Sequence, residues 1–501
     1  MPHSDLHPAQ CRLSELSPAL ETTPVIERLF GLIDADPGFA GLGQSIALVD
    51  SLDGDDAKAT RRMTAAILSD AGLTAQLMRQ ANASGRAGES VATVDKALAI
   101  LGINKVKALA RSLNVIEGGL QTFSKQQVDQ LNAEMVAAAF CGNLAAALTR
   151  SNAGRLKVQE SQVCGLIQNL GRVIACYYLY DEIARSHVLQ AEQNLSEDEA
   201  VTRTLGMSFD DIGMAVAKHW KYPDVLQKTL EAARDKIPSR QIASTLEWHL
   251  YCGRFARGVT DILFRRPEHQ TKGNIANEIY LYRGILHLKE NEVGEMIDSV
   301  FKELEESLLE DAAPCTPARA RDMLRKSSDR VTDWLSPQDS LTRSSSKDVR
   351  KTRVEVIYQI LRSVHDEFHF DMTLLCVPNG TAELVAISGV GRNANQIISR
   401  FRCSGTRQDL FRSVAAKSIG LYVGDVRGGP YAKFIPDWYG ALVGARSLYA
   451  MSLMHNGESL GIVYGDFTEL REAAPDGLDG EKMRQWRSEL IAALKPAGGK
   501  G

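Results

Sequence analysis

Apolar residues recur at helical spacing through residues 23–311. The clearest stretch runs from Ser161 to Glu182 and reads SQVCGLIQNLGRVIACYYLYDE. Its apolar positions are Val163, Leu166, Ile167, Leu170, Val173, Ile174 and Tyr177. A period of three to four residues places these side chains on one face of a helix. The pattern therefore predicts a buried helix in this stretch and an all-α domain over residues 23–311, after a polar tail at 1–22.

The pattern changes twice in the second half of the chain. Residues 312–350 are rich in Ser, Pro and alternating charge, a composition that predicts a linker. From 351 onward a helical pattern is followed by the apolar runs MTLLCV, ELVAIS, GLYVGDV, ARSLYAMSLM and SLGIVYGD. The last two are joined by Asn456-Gly457, a favoured two-residue hairpin turn. These features predict an α+β domain with an antiparallel sheet at 351–470.

The C-terminal segment, residues 471–501, contains a further amphipathic pattern. Met483, Trp486, Leu490, Ile491 and Leu494 share one face of a helix predicted between Asp479 and Lys495. Such a helix can pack on its own domain or pair with a second copy of the chain. A homodimer is therefore one expectation from this segment.

Composition and charge are ordinary for a globular protein. The 501 residues have a formal net charge of −4 and 44% apolar content, which gives no overall attraction to nucleic acid or anionic lipid. The beginning of the chain lacks a basic leader with an apolar core, and we expect no membrane-spanning run and a cytoplasmic location. The eight cysteines are scattered without metal-binding spacing, which predicts small core residues in a reducing compartment.

The first domain resembles a known family at several separated motifs. The segments SDAGLTAQLMRQANAS and ATVDKALAILGINKVKALARSL are followed later by Leu205-Gly206, Ile212-Gly213, Trp220 and Pro223. This succession is similar to the HDOD family, a variant branch of the HD hydrolase superfamily found in bacterial signalling proteins. The resemblance implies an HD-like helical fold and a regulatory role in a bacterium.

An HD phosphohydrolase requires several His and Asp ligands for its metal ions. The resemblance places five other residues at these positions: Glu134, Gln168, Asn169, Phe209 and Cys252. Amide side chains carry no negative charge and are poor ligands for a hydrolytic divalent ion. We therefore expect a pseudoenzyme with no catalytic residue, no bound metal and no cofactor. The alternative is a phosphohydrolase with a nonstandard site that uses Glu134, Cys252 or His249.

The second domain resembles a GAF domain in its order of elements. A short helix precedes a phrase ending in Gly-Asp-Val, and the final hairpin ends in Gly-x-x-Tyr-Gly-Asp. This GAF-like fold implies a small-ligand sensor or a dimerisation module. The aromatic and basic residues of the segment that would cover its pocket are candidate ligand-binding residues: Arg427, Tyr431, Trp438, Tyr439 and Arg446. The alternative is that they pack the domain or a dimer contact.

Two further patterns in the sequence are weak functional signals. The basic residues Lys105, Lys107 and Arg111 fall in a segment with a faint likeness to a nucleic-acid-binding hairpin of helices, but a solvated helix face explains them better. Gly389 to Ala394 matches G-x-G-x-x-A without the strand that a dinucleotide site requires, and we interpret it as a loop. The sequence thus predicts a non-catalytic signal-transduction protein. Its HDOD domain would bind other signalling proteins, and a nucleic-acid-binding regulator is the second alternative.

Overall fold

The computed structural model describes residues 25–36, 39–52, 57–84, 90–115, 123–152, 157–193, 195–231, 242–265, 271–309, 326–328, 353–379, 383–403 and 409–494. The described residues form two compact units. The first unit contains those up to 265 and those from 282 to 328, and the second contains 271–281 and those from 353 onward. The predicted helical domain at 23–311 therefore includes a segment that belongs to the second unit.

The first unit is helical, apart from one short parallel pair of strands, β1 (Ala40–Gly41) and β2 (Asn114–Val115). The helices of its described residues are α1 Val25–Ala35, α2 Gly43–Ser51, α3 Ala57–Leu68, α4 Ala71–Ser84, α5 Val94–Leu101, α6 Ile103–Ser112, α7 Lys125–Ser151, α8 Val158–Ile167, α9 Leu170–Tyr178, α10 Tyr180–Gln193, α11 Glu197–Leu205, α12 Phe209–His219, α13 Asp224–Glu231, α14 Thr245–Arg265 and α16 Glu290–Leu309. Helix α15, Thr271–Leu286, is divided between the units after Leu281.

Small residues allow the central helices α7 and α8 to pack closely. A Cβ atom added to Gly165 would lie 2.8 Å from the carbonyl oxygen of Cys141 and 2.8 Å from the Cβ of Ala145. A side chain at this position would collide with the neighbouring backbone, so glycine permits the approach. The interior around these helices is a continuous apolar cluster that reaches from α1 to α13.

The prediction of one buried helix from Ser161 to Glu182 was wrong, because the chain turns twice. Helix α8 ends at Ile167, α9 begins at Leu170, and α10 begins at Tyr180. The N–H groups of Gln168 and Asn169 donate to the carbonyls three residues back, at 3.3 Å each, which tightens the end of α8. The apolar positions remain buried on both sides of the break, so the hydrophobic period alone did not reveal it.

The second unit contains a six-stranded antiparallel sheet, which confirms the predicted fold class. Its strands are β3 Met372–Pro378, β4 Leu384–Gly391, β5 Arg402–Cys403, β6 Gly420–Val423, β7 Ser447–His455 and β8 Glu458–Phe467. Their order in the sheet is β5-β4-β3-β8-β7-β6. Asn456 and Gly457 join β7 to β8 with positive φ angles of 50° and 82°, as a tight hairpin turn requires.

Helices cover both faces of this sheet. One face packs against α17 (Arg353–Phe368) and α21 (Glu481–Leu494), where Phe368, Met483 and Leu490 are buried. The other face packs against the short helices α18 (Ala394–Ile397), α19 (Leu410–Ala415) and α20 (Asp437–Leu442). The apolar face of the C-terminal helix is thus used within its own unit.

Two further segments bear on the sequence expectations. Most of the predicted linker at 312–350 lies outside the described residues, but Ser327 is buried and donates a hydrogen bond of 3.2 Å to the carbonyl of Leu263. Among the described helices, α7 alone is long and apolar enough to cross a membrane, and most of it is buried inside the protein. The expected cytoplasmic location stays a prediction.

Candidate functional site

The break between α8 and α9 directs two amide side chains into the interior of the first unit. Gln168 and Asn169 are almost completely buried. Gln168 Nε2 donates to the backbone carbonyl of Thr229 on α13, at 2.8 Å. Asn169 Oδ1 accepts a hydrogen bond of 3.0 Å from Nη2 of Arg265, at the end of α14. An amide in this position therefore faces a guanidinium group.

Glu134 on α7 is held by two arginine side chains. Arg265 Nη2 donates to Glu134 Oε2 at 2.5 Å, and Arg172 Nη1 lies 3.8 Å from Glu134 Oε1. Arg172, on the first turn of α9, also makes a two-pronged ion pair with Glu197, with N–O distances of 2.8 and 2.6 Å. Paired guanidinium–carboxylate bonds of this kind are strong and strictly oriented.

The ion pairs extend along α14. Arg257 donates to Asp210, Arg265 donates to Asp261, and Arg257 Nε lies 4.0 Å from Asp261 Oδ2. We call this set the arginine cluster: Arg172, Arg257, Arg265, Glu134, Glu197, Asp210 and Asp261. Its three cations and four carboxylates are mostly withdrawn from solvent, with only 6% of the Arg172 side chain and 11% of the Glu134 side chain exposed.

The charges in the cluster stabilise one another. Burial raises the pKa of Glu197, but the charge and hydrogen bonds of Arg172 outweigh this effect and lower that pKa to about 2. Burial lowers the pKa of Arg265, and the carboxylate of Glu134 more than compensates, so that this pKa is raised. Arg172 thus stabilises the ionised form of Glu197, and Glu134 stabilises the ionised form of Arg265.

The five positions where the resemblance places metal ligands of HD hydrolases lie in different surroundings. Glu134, Asn169 and Phe209 meet at the arginine cluster, where the Arg172 guanidinium lies 4.3 Å from the centre of the Phe209 ring. Gln168 points to Thr229 instead. Within the part of the chain that the structure describes, no group of three or more His, Cys, Asp or Glu side chains is arranged to hold a metal ion. The cation positions near Glu134 are taken by guanidinium groups, so a divalent ion does not fit these residues.

Cys252 lies in a different environment from Glu134. Its Sγ atom contacts the Ala145 carbonyl at 3.4 Å and Thr149 Oγ1 at 3.8 Å. Burial raises the pKa of the Cys252 thiol to about 12. A thiol with so high a pKa stays protonated, and it is the thiolate that binds metal.

His249 belongs to a separate buried polar group. Its Nδ1 atom is 2.6 Å from Ser161 Oγ, and its Nε2 atom is 3.6 Å from Glu160 Oε1. Burial lowers the pKa of His249, and the Glu160 carboxylate partly opposes this effect. Thr149 donates to Ser161 at 2.8 Å and accepts from Trp248 at 3.0 Å. The contacts of His249 thus connect α8 and α14 and involve neither Glu134 nor Cys252 directly.

The candidate ligand residues of the second unit do not converge on one opening. Tyr439 is fully buried, and its hydroxyl is 2.7 Å from that of Tyr464, which donates to Asp466 at 2.6 Å. Trp438 packs at ring-centroid distances of 5.1 and 6.3 Å from two buried phenylalanines of the same core. These two candidates help to fill the interior.

The other three candidates lie at or near the surface. Tyr431 is 38% exposed. Arg427 donates its backbone N–H to Asp425 Oδ1 at 2.9 Å, and Arg446 Nη2 is 3.8 Å from the same oxygen. Tyr431 and Arg427 are therefore accessible to a ligand in solution, whereas Tyr439 is not.

The basic residues of α6 are also placed by the structure. Arg111 Nε donates to Asp50 Oδ1 at 2.5 Å. Lys105 borders an open groove of about 550 Å³ at the beginning of α6, to which Asp95 also contributes. Because acidic side chains accompany both residues, this surface lacks the uniform positive charge that favours nucleic acid.

A family model described as the HDOD domain matches residues 45–235. The chain carries an HDOD domain. The match includes Glu134, Gln168, Asn169 and Phe209, whereas the arginines of α14 lie beyond it. No curated protein matches the chain.

Several solved structures are similar to parts of the chain. The MmoQ response regulator from Methylococcus capsulatus str. Bath has 16% sequence identity, covers 52% of this chain and 98% of its own, and gives a TM-score of 0.39. An HDOD domain protein with unknown function from Geobacter sulfurreducens has 16% identity, covers 57% of this chain and 98% of its own, and gives a TM-score of 0.31. A GAF domain/HD domain protein from the same organism has 14% identity, covers 29% of this chain and 91% of its own, and gives a TM-score of 0.24. The assignment of the HDOD domain rests on the family match.

The three arginines of the cluster were not identified from the sequence; they are Arg172 in the HDOD domain and Arg257 and Arg265 on α14. The only local signal was the spacing of Arg257, Asp261 and Arg265, which lie four residues apart on a helix that is otherwise largely apolar. Charged side chains at i, i+4 spacing normally indicate a solvated face. Here the same spacing builds a buried ionic row.

Proposed function

We propose that the protein is a non-catalytic signal-transduction protein. Its HDOD domain would be a scaffold that binds other signalling proteins, and its second unit would be a ligand sensor or dimerisation module. The observation that supports this proposal is the pairing of Glu134 with Arg172 and Arg265. Guanidinium groups neutralise this carboxylate at the position that the resemblance aligns with a metal ligand of HD hydrolases.

Hydrolysis at such a site would require a metal-bound water and a cation that neutralises phosphoryl oxygens. A divalent ion near Glu134 would have to displace two arginines that already satisfy the carboxylate. It would then leave their buried charges with only Glu197 and Asp261 to compensate them, which is unfavourable. Asn169 offers an amide oxygen that already accepts from Arg265. The cluster therefore favours a structural role over catalysis.

Metal analysis with activity assays separates this proposal from the phosphohydrolase alternative. Full-length protein purified without chelator is expected to contain much less than one equivalent of divalent metal. It is also expected to show no turnover of nucleotides or phosphodiesters above a blank. Glu134→Ala and the exposed-site control Glu295→Ala should be equally inactive. Stoichiometric metal, together with turnover that Glu134→Ala abolishes and Glu295→Ala retains, would establish the enzyme instead.

The scaffold role requires a partner, so its test is a binding experiment. Tagged full-length protein is expected to retain a specific signalling protein from native lysate of its source, and an unrelated tagged protein of similar charge is the control. Because the proposal does not depend on catalysis, binding should be insensitive to chelator. Loss of the partner on chelation would contradict the proposal.

A further inference from the structure

The turn between β4 and α18 has an unusually constrained backbone. Gly391 has a φ angle of +100° and Asn393 a φ angle of +60°. A Cβ atom on Gly391 would lie 2.4 Å from the Asp371 carbonyl oxygen and 2.5 Å from Cε1 of His365. The N–H of Arg392 is fixed by a 2.9 Å bond to the same carbonyl. Since such conformations persist only when their surroundings hold them, the turn is a rigid element with preset donors and acceptors.

The partner of this turn is the first part of α15, which belongs to the same unit. The N–H of Gly391 donates to Asn277 Oδ1 at 3.0 Å, and Asn277 Nδ2 donates to Asn395 Oδ1 at 3.2 Å. Asn395 Nδ2 in turn donates to the Asn274 carbonyl at 3.2 Å and lies 3.4 Å from Glu278 Oε2. The asparagines are buried, with at most 8% exposed.

Tyr280 adds an aromatic contact one turn further along α15. Its ring meets that of His365 edge-on, with centroids 5.9 Å apart, and the Arg362 guanidinium lies 4.7 Å from the ring centre. Its hydroxyl donates to Asp366. The three contacted residues all lie on α17. The helix α15 is therefore recognised from two sides, by the turn and by α17.

The chemistry of this contact favours selectivity over strength. A hydrogen bond made on folding contributes little net stability, because it replaces bonds to water. A helix with the wrong side chain at position 277 would bury the Gly391 N–H and the Asn395 amide oxygen without the partners that Asn277 supplies, which costs about 1–3 kcal/mol for each group. A preset polar turn thus discriminates between helices without holding any of them tightly.

We propose that Gly391–Asn395 and α17 form a recognition site for an α-helix that carries asparagine at position i and tyrosine at i+3, and that offers a backbone carbonyl one turn before the asparagine. The occupant is Asn274–Tyr280 of the same chain. The contact opens and closes while the sheet of the second unit stays folded. This inference goes beyond the proposed function and does not depend on whether the HDOD domain is catalytic.

Hydrogen–deuterium exchange on the full-length chain tests the proposal. Peptides covering 271–281 and 388–397 are expected to exchange at one common rate, faster than the central strands β3 and β8. Asn277→Ala removes the amide without weakening the helix, since alanine favours a helix more than asparagine does. Both segments should then exchange at least about tenfold faster. Gly284→Ala is the matched control on the same helix, because nothing lies within 4 Å of an added Cβ there.

The outcomes are distinct. Asn395→Ala removes the contact from the turn and should reproduce the Asn277→Ala result, so that poor folding of one variant leaves the other as a test. The proposal is overturned if 388–397 exchanges no faster than β3 and β8, or if neither variant changes its rate. Light scattering identifies the occupant. An oligomeric state unaffected by Asn277→Ala supports the same chain, and a dimer that this variant converts to monomer would instead assign the helix to a second copy.

Discussion

Glu134 shows how one buried carboxylate determines the chemistry of its surroundings. It lies between Arg172 and Arg265, and each arginine has a further acidic partner, Glu197 and Asp261 respectively. Removing Glu134 would therefore leave two guanidinium groups with incomplete compensation. Removing one partner of a buried ion pair is more costly than the pair itself is stabilising, because the remaining charge stays desolvated.

We expect Glu134→Ala to lower the free energy of unfolding of the first unit by roughly 3–5 kcal/mol. Urea unfolding followed by circular dichroism measures the change. Glu295→Ala, at an exposed position of α16, should stay within about 0.5 kcal/mol of the wild type. A loss below about 1 kcal/mol in Glu134→Ala would show that Arg172 and Arg265 are satisfied without it.

The lowered pKa of Glu197 predicts that the free energy of unfolding of the first unit falls at acid pH. Its pKa is about 2 in the folded protein against an ordinary value of 4.5 for a glutamate carboxyl, so the folded state favours the ionised form. The resulting stabilisation, roughly 3 kcal/mol, is complete above pH 5 and is lost as the pH falls through 4 toward 2. The difference in unfolding free energy between wild type and Glu197→Gln should accordingly shrink over this range. A difference that is constant with pH would contradict the role of Arg172.

The raised pKa of Asp466 predicts the opposite pH dependence for the free energy of unfolding of the second unit. Burial raises the pKa of this carboxyl to about 7, although the hydrogen bond from Tyr464 acts in the other direction. A raised pKa gives stability that is present below pH 4 and is lost as the pH rises toward 7. We expect Asp466→Asn to remove this loss, since the amide keeps an acceptor for Tyr464. Unfolding of both proteins measured from pH 4 to pH 8 tests the sign, and parallel curves would count against it.

At the scale of elements, the approach of α9 to α12 depends on one glycine. A Cβ atom on Gly171 would lie 1.8 Å from the carbonyl oxygen of Phe209 and 2.8 Å from the backbone N of Gly213. Both obstacles are backbone atoms, so no side-chain rotation can relieve the overlap. The same approach brings Arg172 over the Phe209 ring, and the glycine thereby supports the arginine cluster.

We expect Gly171→Ala to destabilise the first unit by about 1–3 kcal/mol or more, because the helices must separate. Gly31→Ala on α1 is the matched control, since nothing lies within 4 Å of an added Cβ at that position. The control should be neutral or stabilising by up to about 1 kcal/mol, as alanine favours a helix interior. Thermal unfolding of the two variants measures the contrast. Equal melting temperatures would show that the helices adjust freely.

The sequence predicted elements better than their junctions. The β7–β8 hairpin was predictable because Asn456-Gly457 carries its own turn geometry. The break after Ile167 was not, since the apolar spacing continues across it and packing against α12 determines where α9 begins. The arginine cluster was likewise only partly predictable, because its members are distant in sequence. Glu134 and Asn169 were found by position, whereas Arg265 lies 96 residues from Asn169 and only the fold brings them together.

At the scale of the whole molecule, the boundary between the units was the hardest feature to predict. The helical pattern of α15 resembles that of its neighbours, yet residues 271–281 belong to the second unit. The buried amide of Asn277 was the available signal, because a buried amide on a helix requires a specific partner. That partner is the turn that the sequence analysis interpreted only as a loop containing glycines.

Because arginines neutralise the buried carboxylates of this chain, a divalent metal is not expected to stabilise its folded state. Any ion that binds only the folded state stabilises it by RT ln(1 + [L]/Kd), about 2.7 kcal/mol at one hundred times Kd. We therefore expect millimolar Mg²⁺ or Mn²⁺, and equally a chelator, to leave the melting temperature of the full-length protein unchanged. Glu134→Ala provides the comparison, because it removes the carboxylate that a metal would require. If metal stabilised the wild type and did not stabilise this variant, a cation would have displaced the arginines from Glu134. The proposal of a non-catalytic HDOD domain would then fail.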